Sequence, residues 1–149
     1  MGKGRGPLKE PSADDRYWFD RLDAAHARNH DLSTQRQAMA YFRKKKLPPD
    51  LLLKSEAGGS GEAMWIPKSM WGNILKVLEK WIGRDQVVLF FLQHLADPNW
   101  PGHGFAFEAL LRQGKRILPL LEAEIEHNKG DRGMVEELEY LREELTAPS

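Results

Sequence analysis

Between Leu95 and Gly102 the chain reads Leu-Ala-Asp-Pro-Asn-Trp-Pro-Gly, with a strongly apolar stretch on either side, each long enough for a helix. This segment constrains the fold more than any other. Pro98 and Pro101 fix φ and lack the N–H needed to continue the preceding helix, Asp97 can cap, and Gly102 and Gly104 free the backbone where the next helix begins. The spacing predicts two helices joined by a rigid turn that carries Trp100.

The flanking segments follow helical periodicity. With Ser69 as cap, Met70, Trp71, Ile74, Leu75, Val77, Leu78, Trp81 and Ile82 predict a helix over 69–82 closed by Gly83. The run Val87-Val88-Leu89-Phe90-Phe91-Leu92 has a strand's composition, but its apolar character extends to Leu95 and nothing else offers a pairing strand, so 86–96 is expected as helix. Beyond the turn, a helix over 103–113 would bury Phe105 or Phe107 with Ala106, Ala109 and Leu110 and close at Gly114. Another is expected over 116–127 with Pro119 in its first turn, and a last one holds Met134, Val135, Leu138, Leu141 and Leu145 on its dry side.

The N-terminal part is less regular. Residues 1–11 have no periodicity and are expected as a disordered tail. A helical pair is expected over 12–47: one helix from Ser12 to about Arg28 with Trp18, Leu22 and Ala25 on one face, and one from Thr34 with Ala38, Tyr41 and Phe42 on its apolar side. Pro48-Pro49 and Gly58-Gly59-Ser60-Gly61 bracket an expected flexible linker, 48–67, in which Leu51-Leu52-Leu53 forms one docking turn. Residues 68–149 then form an all-α domain, expected to share one globular unit with 12–47.

Composition narrows the function classes. The absence of cysteine removes disulfides, thiolate catalysis and thiolate zinc sites. The basic start is followed by no apolar segment of signal or membrane-spanning length, which predicts a cytoplasmic protein with no membrane partner. The formal charge of zero hides an asymmetry, since residues 1–60 carry 12 Lys and Arg against 8 Asp and Glu, and residues 122–149 carry 3 against 9. The chain is a charge dipole along its length.

Leu95-Ala96-Asp97-Pro98, then Ala109-Leu110-Leu111, Gly114, and Ile117-Leu118-Pro119-Leu120-Leu121 resemble a HEAT repeat. The Asn99-Trp100-Pro101 insert is similar to that of short bacterial HEAT-like domains carrying an Asp-x-Asn-Trp-Pro turn. The match spans 68–128, with an offset of roughly thirty residues between helical pairs. It departs from the pattern at Gly102-His103, where HEAT units carry Val-Arg. The resemblance implies stacked antiparallel helical hairpins presenting a surface to a partner, and implies no activity.

Candidate sites follow from these patterns. His94, Asp97, His103 and Glu108 are the one group of ligating or acid/base side chains near the turn. Their spacing fits neither a facial triad nor a His-Glu-x-x-His helix, so no metal site and no cofactor are assigned. Trp71 and Trp81 lie on the helical stripe and are expected in the core. Trp65 and Trp100 lie in loops; Trp100 either folds back over its own hairpin as a lid on the core, the favoured reading, or anchors a partner, and with Trp65, Asn99, His103, Glu136, Glu139 and Glu143 it then makes the candidate surface for a protein partner. The expected function is a non-enzymatic protein-interaction domain, of the kind an immunity or inhibitor protein presents to a basic partner. Arg43-Lys44-Lys45-Lys46 offers an alternative, phosphate contacts with nucleic acid, which zero net charge ranks below a protein partner; a run of cations at a helix C-terminus also complements the helix dipole. A metal-dependent hydrolase at the Asp97 turn is the third alternative.

Overall fold

A computed structural model describes residues 13–23, 32–53, 70–95 and 102–148. Among these every regular element is a helix, with no strand: α1 (Ala13–Asp20), α2 (Leu32–Arg43), α3 (Asp50–Leu53), α4 (Trp71–Leu78), α5 (Asp85–Leu95), α6 (His103–Arg112), α7 (Leu118–His127) and α8 (Arg132–Thr146). No described helix is long and apolar enough to cross a membrane.

α5 organises the core. Val87, Val88, Phe90, Phe91, Leu92 and Leu95 are all buried, so its apolar surface is too wide for one partner helix to cover. It packs on α6, α7 and α8, and α7 and α8 pack on each other. α4 lies against α2 and α6. Trp71, at the start of α4, meets Phe90 and His94 in the second half of α5, with ring centroids 6.0 and 3.8 Å apart. Trp71 and Trp81 are buried, as the stripe predicts.

The N-terminal pair belongs to the same body. Phe19 and Leu22 of the first segment and Ala38 and Phe42 of α2 join the single hydrophobic cluster. Asn73 of α4 donates from Nδ2 to the Leu22 carbonyl at 2.7 Å and to Gln35 Oε1 at 3.2 Å, which ties α1, α2 and α4 at one point. The expected linker begins with packed residues: Pro48 and Pro49 are buried, α3 is the expected docking turn, and its Leu52 is fully enclosed. Residues 54–67 and the tail 1–11 lie outside the described residues.

Several helix ends differ from the periodic expectation. The first helix stops at Asp20, where three successive i→i−3 hydrogen bonds from Arg21, Leu22 and Asp23 tighten the chain into turns. α2 begins at Leu32, ahead of Thr34, and stops at Arg43, so Lys44 to Lys46 lie past its end. α4 ends at Leu78 and passes into a 3-10 turn, Glu79–Trp81; Gly83 does not adopt positive φ, so it is not the left-handed closing residue expected there. Gly114 is, with φ of 71°. α8 starts earlier than Met134, because Asp131 is extended and its Oδ1 accepts from the Met134 amide at 3.3 Å, placing Gly133 inside the helix.

Candidate interaction surfaces

The outer side of α8 is acidic with an aromatic centre. Helical spacing puts Glu136, Tyr140 and Glu144 in one row, with Glu137 and Glu143 one turn from the same ring. Tyr140 is 54% exposed and stacks at 5.2 Å on Phe107 of α6, which holds the ring in place. Arg142 is drawn into the helix pair by Glu122 of α7 at 2.8 Å and by Glu139 at 3.7 Å. A Glu137 carboxylate oxygen lies 2.9 Å from His103 Nε2. Glu136, Glu143 and Glu144 are exposed, and no ion pair among the described residues engages them.

The second surface lies where α2 ends. The carbonyls at and just past its end are capped from far along the chain: Lys80 Nζ donates to the carbonyls of Arg43 and Lys45, and Trp81 Nε1 donates to that of Lys46 at 3.3 Å. Arg43 returns a bond to the Lys76 carbonyl at 3.1 Å. Lys44, Lys46 and Lys76 remain exposed, and Leu47 beside them is 60% exposed. The four-residue basic run thus becomes a six-cation pole with Lys76 and Lys80 of the α4 segment.

One carboxylate enters this pole. Asp15 of α1 accepts from Tyr41 Oη at 2.5 Å and pairs with Lys45 Nζ at 3.0 Å, while the ammonium sits 4.9 Å from the Tyr41 ring. Burial, and then the adjacent Asp15 carboxylate, push the Tyr41 phenol above its ordinary pKa. Burial works to lower Lys45, but Asp15 and Tyr41 more than offset it and leave the ammonium raised.

Of the residues weighed as ligands, His94, His103 and Glu108 are described, and each sits in its own surroundings. His94 Nδ1 lies 2.7 Å from the Phe90 carbonyl and its ring packs on Trp71 and Phe90; His103 is paired with Glu137; Glu108 is exposed. Among the described residues no three His, Asp or Glu side chains converge as a metal would require. Of the expected partner surface, Glu136 and Glu143 are exposed, Glu139 leans toward Arg142 and His103 is held within the fold. Trp65, Asp97, Asn99 and Trp100 lie outside the described residues. Sequence reasoning missed Tyr140, whose signal was an aromatic placed i+4 from Glu136 and i−4 from Glu144. It also missed Lys76 and Lys80, whose approach to α2 has no local signature.

Compared with protein-family models, curated proteins and solved structures, the chain matches none.

Proposed function

We propose that this chain is a non-enzymatic protein-interaction domain, and that the acidic face of α8 is the surface it presents to a basic partner. The observation that supports this most is Tyr140: an exposed ring, immobilised on Phe107 and surrounded by exposed carboxylates. A rigid aromatic anchor inside a charged rim is the arrangement that concentrates binding energy at protein interfaces. The carboxylates add steering toward a cationic surface. An inhibitor or immunity protein occluding a basic cleft would use such a face. The scaffold behind it is proposed to be a stack of helical hairpins of the HEAT type, a reading that the all-helical packing of α5 on α6 and of α7 on α8 is consistent with.

The reading is tested by affinity capture from the native host with wild type and a Glu136→Gln/Glu143→Gln/Glu144→Gln variant, fold being checked by circular dichroism. The expected result is a basic protein retained by the wild type and lost from the variant. Equal retention by both overturns the assignment of this face.

A further inference from the structure

We infer that a second copy of this chain is a partner for the acidic face, received through the basic pole at the end of α2, so that molecules associate head to tail. The inference rests on the acidic-face reading and names its partner.

Four observations carry it. The poles are complementary in sign: Arg43, Lys44, Lys45, Lys46, Lys76 and Lys80 at one, and the exposed Glu136, Glu143 and Glu144 of α8 at the other, in a segment from residue 122 that carries 9 acidic against 3 basic side chains. They sit on different elements, the first at the end of α2, which packs on α1 and α4, the second on α8, which packs on α5, α6 and α7. Each has an apolar centre, Leu47 in one and Tyr140 in the other, and these are two of the four large hydrophobic side chains that are exposed among the described residues. The formal net charge is zero, so two copies approaching pole to pole meet no long-range repulsion from the rest of the molecule.

Sign also fixes the geometry. Two acidic faces repel, as do two basic poles, so an isologous dimer is disfavoured and the contact joins unlike patches. Unlike patches close into a ring or continue as an open chain. A contact made of one apolar anchor and a charged rim falls in the small, transient class of interface, and its attraction is screened once the Debye length shortens to a few ångströms.

The test is sedimentation equilibrium of the full chain in about 20 mM and about 500 mM salt, where screening differs most. In low salt the average mass rises with protein concentration, and in high salt it returns to that of the monomer. Two variants, Lys44→Gln/Lys46→Gln/Leu47→Ser and Glu136→Gln/Glu143→Gln/Glu144→Gln, each lack one pole and stay monomeric alone. Mixed in equal amounts they retain one native contact between them, and give a 1:1 dimer and nothing larger. A wild type that is monomeric in low salt at every concentration overturns the inference, as does a mixture without dimer. If the wild type is monomeric yet still captures a basic protein through Glu136, Glu143 and Glu144, self-association fails and the acidic-face reading stands; loss of both defeats both. A monomer that binds an oligonucleotide through Lys44 and Lys46 assigns the pole to nucleic acid and likewise overturns the inference.

Discussion

Gly102, at the entry to α6, lies against Gly72 in α4. A Cβ built on Gly102 would stand 3.4 Å from Gly72 Cα and 2.8 Å from Leu75 Cδ1, and the residue has φ of 91°, a left-handed conformation that glycine alone adopts without strain. A Cβ on Gly72 meets nothing within 4 Å. The two glycines of one contact therefore make opposite predictions. Gly102→Ala should destabilise by about 1–2 kcal/mol for the backbone alone, more once Leu75 is displaced. Gly72→Ala should stabilise by about 0.5–1 kcal/mol by removing a glycine from a helix. Denaturant melts of both variants check this, and a stabilising Gly102→Ala would sink the described contact.

The Asp15, Tyr41 and Lys45 cluster should give stability an alkaline dependence. Tyr41 and Lys45 both hold their protons more tightly in the folded state than in the unfolded state. Their contribution is complete below the ordinary pKa values, near pH 10, and is lost as pH rises through the raised ones. Asp15→Asn removes the carboxylate that raises both groups, so its stability should fall less steeply above pH 10 than that of wild type. Parallel slopes for the two proteins would show that the cluster does not couple to folding.

Leu52 separates a docked turn from a tether. Enclosed completely in a four-residue helix, it should lose about 2–5 kcal/mol of stability on truncation to alanine, the usual range for a buried leucine. A change of less than about 0.5 kcal/mol, typical of exposed positions, would return 48–53 to the linker.

Asn73 tests the join between the N-terminal pair and the rest. Its amide is shared between the Leu22 carbonyl and Gln35 Oε1, and Asn73→Ala leaves both without that donor. A loss of about 1–3 kcal/mol is expected, with faster amide exchange confined to α1 and α2. Uniform acceleration along the chain would instead mark a single cooperative unit with no weaker edge.

Much of the helical order was legible because the same side chains that set the periodicity fill the core: Ile74, Leu75, Leu78, Leu92, Leu110, Leu121, Leu138 and Leu141 are all fully buried. Gly114 carries its punctuation locally and was legible for that reason. Helix ends were less so where tertiary contacts decide them. The end of α2 is set by Lys80 and Trp81, and the turns after α1 are held partly by Asn73. Neither is visible in a window of fifteen residues. The acidic character of α8 was plain from composition, but the role of Tyr140 depends on Phe107, 33 positions away on another helix.

The central place of α5 has a consequence for synthesis on the ribosome. Its Phe91 and Leu92 are complete in the nascent chain before α6, α7 and α8, which cover the helix, have been made. This strongly apolar helix must therefore wait, covered only in part, for some fifty more residues to be made. At elongation rates of about 5–20 residues per second that delay lasts several seconds, long against the microseconds of helix formation. During that interval the chain exposes a sticky intermediate, and a stall between α5 and α8 would leave a species prone to aggregate or to recruit a chaperone.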